Sequence, residues 1–218
     1  MAAAVARKPG RAKTAKDMKR GLILDAARQV FLAEGLDGAS LRAIALAAGY
    51  TPAALYFHFD SKEAIYAEVL QDSLAQLGHR VEAAVAPAAG AAERLNAAAM
   101  AFFAFYAENP LDLDLGFYLL RGGMRPKGLG RERDEALNAG LAAALRPIAA
   151  AAVDLGAAEQ AAKLLMVDVF AHAAGLLLLA HTKRIQMFGA SAPELMARYV
   201  AERVGLLQRR TSDADLEA

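Results

Sequence analysis

Ser40, Arg42, Thr51, Tyr56, His58 and Lys62 stand within one short stretch of a chain otherwise rich in alanine. Their chemistry is that of donors: hydroxyls, a guanidinium, an imidazole and an ammonium, suited to phosphate oxygens and base edges. Ser40 falls where a short helix begins, so its hydroxyl and the exposed backbone N–H groups suit a phosphate oxygen, or the hydroxyl acts only as an N-cap. Tyr56 can present its hydroxyl to a phosphate or a base. His58 either donates to a phosphate or packs between the first and fourth helices. Lys62, at the start of a longer helix, adds its ammonium to the helix dipole and is the strongest single expectation for a phosphate clamp.

The elements that must position these groups are helical. From about Asp17, residues Ile23, Ala26, Ala27, Val30 and Phe31 recur with helical spacing, and Gly35 supplies a stop. Ser40 caps a second, short helix whose apolar stripe is Leu41, Ile44, Ala45 and Ala48, ended by Gly49. Thr51 and Pro52 read as N-cap and first helical residue of a third helix reaching about His58, with Leu55 and Phe59 facing inward. Asp60 and Glu63 have capping-box spacing and open a fourth helix through Ile65, Val69 and Leu77. Two short helices joined at a glycine and backed by a longer one outline a helix-turn-helix.

Residues 20–66 resemble the DNA-binding domain of TetR-family transcriptional regulators. The resemblance rests on "AARQVFLAEGLDGASLRAIALAAGYTPAALYFHFDSKEAIY": Phe-x-x-x-Gly closing helix one, Ser-Leu-Arg-x-Ile-Ala opening helix two, Gly49 in the turn, and Leu-Tyr-x-His-Phe followed by Ser-Lys-Glu. It implies that Arg42, which lies off the apolar stripe of helix two, sits near base edges, where a guanidinium can bind guanine bidentately. Pro52, Ala53 and Ala54 are poor in hydrogen-bonding side chains. Base reading is therefore expected to lean on Thr51, Tyr56 and Arg42, with Pro52 or Ala53 against a thymine methyl. Phe57 stands where such proteins commonly carry Tyr or His, and has lost that donor.

The flanking sequence divides the chain. Residues 1–20 carry Arg7, Lys8, Arg11, Lys13, Lys16, Lys19 and Arg20 against Asp17 alone, although the whole chain is only +1, so a basic end precedes a mildly acidic body. Either it follows a nucleic-acid backbone or it is a solubilising tail. Beyond a Pro/Gly break at 83–93, helical segments are predicted at about 91–107, 111–121 and 131–146, with Pro147 kinking or ending the last and a continuation to about Val153. Two more run over 157–182 and from the Ser191–Glu194 capping box to about Gln208. The expected fold is all-α, about nine helices: a basic disordered arm (1–16), a helix-turn-helix domain (17–66), a larger helical ligand-binding and dimerisation domain (67–210) and a disordered tail (211–218).

In the larger part, Phe102, Tyr106, Phe117, Tyr118, Arg121, Met166 and Phe170 either line an apolar ligand cavity or fill a core. His172 and His181 are further polar groups there, and His172 can pair with Asp168 four residues before it. The 157–182 helix is read as buried, because its second half is apolar nearly all round. With Leu195, Tyr199, Val200, Val204 and Leu207 of the last helix it is expected to form half of a homodimer interface, as the resemblance also implies.

The absence of cysteine excludes disulfides, thiolate metal sites and thiol nucleophiles, and fits a cytoplasmic setting. No cofactor, metal site or catalytic motif is expected, nor a membrane span. The implied function is that of a DNA-binding regulator, most simply a repressor released from a palindromic operator by a small apolar or amphipathic effector. The alternative is an architectural DNA-binding protein without an effector.

Overall fold

The computed structural model describes residues 11–117 and 128–216. Among them the regular structure is helical throughout, with nine α-helices and one 3-10 turn. The chain divides into two compact units, residues 1–70 and 71–218.

The first unit holds α1 (Arg11–Gly38), α2 (Leu41–Ala47), α3 (Pro52–Tyr56) and the start of α4 (Lys62–Val85). Helix α1 begins well before Asp17, so residues 11–16, expected in a disordered arm, are helical; Ala, Lys and Arg are all strong helix formers. Gly35 interrupts it at φ 69°, ψ 173°, which ends the regular helix at the stop that the sequence predicts. Ile23, Ala27, Val30 and Phe31 of α1 meet a core of Ile44, Ala45, Leu55, Phe59, Ile65, Tyr66 and Val69, all buried. The Phe31 and Tyr66 rings pack edge to face with centroids 4.8 Å apart. Burial of each such large side chain contributes about 1.5–3 kcal/mol, enough to hold helices too short to persist alone.

Helix α4 starts one residue later than the Asp60–Glu63 spacing predicts. Its cap is Ser61, whose Oγ accepts a hydrogen bond from the Ala64 N–H at 3.1 Å. Both residue types can cap. The choice falls to Ser61 because its side chain stands three residues before the N–H that needs a partner.

The second unit is built around α5 (Ala91–Glu108), which packs against α7 (Arg131–Asp154), α8 (Glu159–His181) and α9 (Ala192–Leu216), with α6 (Pro110–Gly116) following it. Leu95, Ala98, Ala99, Phe102, Phe103, Phe105 and Tyr106 bury one broad side of α5. Pro147 does not end α7: the helix runs through it to Asp154. Ala144, Leu145, Ile148, Ala151 and Ala152 are buried on both sides of the proline, and that packing outweighs one missing backbone hydrogen bond. Between α8 and α9 the chain makes a 3-10 turn at Arg184–Phe188, entered through Lys183 at φ 58°. Helix α9 continues to Leu216, into the segment expected as a disordered tail.

Candidate nucleic-acid interface

Three local devices fix the geometry of α2 and α3. Ser40 has extended backbone, and its Oγ accepts from the Ala43 N–H at 3.1 Å. Gly49, at φ 73°, turns the chain while the Gly49 and Tyr50 N–H groups donate to the Leu46 and Ala45 carbonyls at 3.1 and 2.8 Å. Thr51 Oγ1 accepts from the Ala54 N–H at 3.3 Å, with Pro52 as the first helical residue. Leu55 and Phe59 then anchor α3 from below, 1% and 4% exposed.

With those anchors inward, the opposite surface is open. Arg42 on α2 and Thr51, Pro52, Ala53 and Tyr56 on α3 are all exposed, so the structure brings the expected base-reading side chains to the surface of adjoining helices. His58 is exposed too, which removes its alternative role as a packed interhelical residue. Ser40 is exposed and its hydroxyl serves as the cap, a bond that leaves its proton and a second lone pair unused.

Lys62 takes two backbone partners that the sequence does not announce. Its ammonium donates to the backbone carbonyls of Asp37 and Ala39 at 3.0 and 3.1 Å, closing the corner between α1 and α2. That corner follows the kink at Gly35, where helix-end carbonyls need donors, so a nearby ammonium is drawn inward. The role this geometry gives Lys62 is a structural clasp, with one N–H beyond those two bonds.

Sequence reasoning missed two residues of this unit, Leu46 and Arg20. Leu46 and Phe57 are 80% and 89% exposed on the helix-turn-helix. Leu46 was detectable, since it falls outside the stripe of Leu41, Ile44, Ala45 and Ala48. Arg20, counted with the basic end, pairs with Glu68 at 2.5 Å and lies over the Phe59 ring at 5.5 Å. Burial raises the Glu68 carboxyl above its ordinary value and the Arg20 charge opposes that rise. No signal along the sequence links two residues so far apart.

In the second unit the predicted ligand residues separate. Phe102, Tyr106 and Phe170 converge: Phe102 stands edge to face with Tyr106 at 5.3 Å and with Phe170 at 5.8 Å. Phe102 and Tyr106 are buried in this cluster, burial lifts the Tyr106 phenol well above its ordinary pKa, and His181 Nε2 lies 3.1 Å from the Tyr106 carbonyl oxygen. Met166 on α8 and Phe117 after α6 are half-buried. Tyr118 and Arg121 lie outside the described residues. A groove of about 350 Å³ runs between α4 and α7, lined by Leu74, Ala75, Gly78, Gly140, Ala143 and Pro147 among others.

Helix α8 is only partly buried within one chain. Leu164, Val167, Leu178 and Leu179 are exposed, whereas Tyr199 and Val200 of α9 face the core of their own subunit. Its run of apolar residues exceeds what α5, α7 and α9 can cover.

A buried three-helix platform displaying a short, capped helix beside Arg42 defines a helix-turn-helix protein. Residues 23–69 match the family model of bacterial regulatory proteins, tetR family. The chain is 39% identical over 90 residues to the HTH-type transcriptional activator FasR of Mycolicibacterium smegmatis, covering 41% of each chain. It is 44% identical over 80 residues to the uncharacterized HTH-type transcriptional regulator TtgW of Pseudomonas putida, covering 36% of this chain and 57% of TtgW. The chain thus matches about half the length, or less, of these curated relatives. Its fold is similar to that of a transcriptional regulator FadR from Bacillus subtilis in complex with stearoyl-CoA, with a TM-score of 0.65 over 84% of this chain and 96% of that one at 18% identity. Residues 23–69 are thus similar to the DNA-binding segment of the TetR family.

Proposed function

We propose that the protein is a homodimeric, sequence-specific DNA-binding transcription regulator, a repressor that a small apolar or amphipathic effector releases from a palindromic operator. The observation that carries this reading is the exposed set of Arg42, Thr51, Pro52, Ala53 and Tyr56 on helices held rigid by buried Leu55 and Phe59. Such a surface offers a guanidinium for guanine, a hydroxyl and phenol for phosphate or base, and apolar carbons for a thymine methyl. Ser40 and His58 flank it as phosphate donors.

Dimerisation follows from α8. Over its most apolar window the mean hydropathy is 1.8, yet only 22% of that window is buried. A second copy covering the same face gives an isologous contact and two recognition helices related by a two-fold axis, hence a palindromic site with half-sites about one helical turn apart. The effector class is supported by the apolar groove between α4 and α7 and by the stearoyl-CoA bound in the similar FadR structure. Release requires that the effector bind the DNA-incompetent state more tightly than the competent one.

Selection of bound duplexes from a random library at physiological salt tests the reading. A palindromic motif is expected, and Arg42→Ala should relax it at one base pair per half-site, at a cost of about 1–3 kcal/mol. Binding that follows salt alone, with no motif, would reject sequence-specific regulation in favour of an architectural role.

A further inference from the structure

Beside the exposed leucines of α8 lies a polar cluster that DNA binding does not use. The His172 ring stacks on Tyr199 with centroids 3.9 Å apart and planes inclined by 13°. The Arg203 guanidinium sits 4.8 Å over the same phenol ring, and Arg203 Nε lies 3.7 Å from Asp168 Oδ2. His172 Nε2, the Tyr199 hydroxyl and Arg203 Nε are all buried and without a hydrogen-bond partner among the described residues. The ion pair is thus aligned but not closed, and both its side chains remain partly open, 54% exposed for Asp168 and 38% for Arg203.

Such a pair is harmless while water reaches it. Covering it with another apolar surface would strand two loosely matched charges at a cost of several kcal/mol, unless the covering surface brings their complements. A second copy does so, because one acid and one base on the same face are self-complementary under a two-fold axis. The exposed apolar stripe runs from Leu164 to Leu178, and its middle falls at Ala171. At a rise of about 1.5 Å per residue, an axis there leaves Asp168 roughly 4.5 Å away along α8 and its copy about 9 Å distant, a gap that an arginine side chain bridges. Gly175 supports close approach, since a Cβ there would meet nothing within 4 Å in the single chain.

We propose that Asp168 and Arg203 exchange partners between subunits, so that this cluster sets the register of the dimer and selects a second copy of this chain over other helix pairs. The inference rests on the proposed dimerisation through α8 and α9. Tyr199 and His172 act as positioning residues: stacked together, they hold the guanidinium at the rim, where it can turn outward. Leu164, Leu165, Leu206 and Leu207 line a groove with Asp168 and Arg203, which gives the partner an apolar seat around the charges.

The test uses two full-length variants, Asp168→Arg and Arg203→Asp, differently tagged, checked for helicity and mixed. Each variant alone would face like charge across the axis and should self-associate about tenfold more weakly than wild type or worse. Mixed, they would place Arg against Asp at both crossings, so native mass spectrometry should show heterodimer well above the statistical half. A statistical mixture of well-formed dimers overturns the exchange while leaving the dimer itself standing. A wild type that is monomeric at micromolar concentration in sedimentation overturns the dimer reading and this inference with it. Where charge reversal unfolds the subunit, Asp168→Asn and Arg203→Gln serve instead. Each should raise the dimer dissociation constant about tenfold, and together they should cost no more than either alone; unchanged dissociation constants overturn the proposal.

Discussion

The two units of this chain expose their working surfaces for opposite reasons. In the helix-turn-helix, Arg42, Thr51 and Tyr56 are outside because Leu55 and Phe59 are inside, and each short helix has a side-chain cap within three residues. On α8, Leu164, Val167 and Leu178 are outside although they are apolar, and none of the described residues covers them. A polar surface displayed on a packed base is ready for a hydrated polyanion. An apolar surface left open calls for a partner that removes water. On the proposed reading, the first site is complete in one subunit and the second is half of a site.

Removing the packed base should separate the two surfaces with the largest effect. Leu55→Ala should cost about 2–5 kcal/mol in denaturant unfolding, because the side chain is 1% exposed and α3 has only five residues to hold it. Operator binding should vanish while dimerisation persists, which would show that the two surfaces fail separately.

Lys62→Ala tests the clasp in the first unit. If the ammonium is a clasp, its loss leaves the Asp37 and Ala39 carbonyls without that donor and should lower stability by about 1–3 kcal/mol, with the salt dependence of DNA binding unchanged. A fall of about one in the slope of log affinity against log salt, with stability intact, would restore the phosphate clamp that the sequence predicts.

Gly49→Ala should have a smaller effect, about 1–2 kcal/mol, since φ is +73° and the space around a new Cβ is open, so the penalty is conformational alone. A cost near zero in thermal melts would mean that the turn readjusts.

The smallest effect belongs to the surface of the second unit. Arg80 donates to both carboxylate oxygens of Glu108 at 2.6 and 2.8 Å, and these bonds hold the Glu108 carboxyl below its ordinary pKa. A depressed folded-state pKa stabilises above the unfolded value and loses that stabilisation as pH falls through the folded one. Glu108→Gln should therefore be slightly less stable at neutral pH, and the difference should disappear in acid; a difference that grows in acid would contradict the sign.

Much of the first unit was legible along the sequence, because caps, stops and turns act over three or four residues. Ser40, Gly35, Gly49, Thr51 and Pro52 each take the place their type and spacing predict. Ser61 caps α4 in place of Asp60 because two adjacent residues there could both do the work. At Pro147 local preference allows a kink or an end, and packing on both sides carries the helix through to Asp154, close to the expected continuation.

What the sequence by itself determined is therefore the all-helical fold, the helix-turn-helix and the apolar excess of α8, all of them consequences of short-range periodicity and residue type. Only the tertiary structure decided that Lys62 turns onto carbonyls 25 and 23 residues away, that Arg20 meets Glu68, that Phe102 packs with Phe170, and that Asp168 and Arg203 stand together on an open face. The physical reason is one of range: a helix cap is satisfied by its own neighbours, whereas a long charged or aromatic side chain takes whichever partner folding brings within a few ångströms.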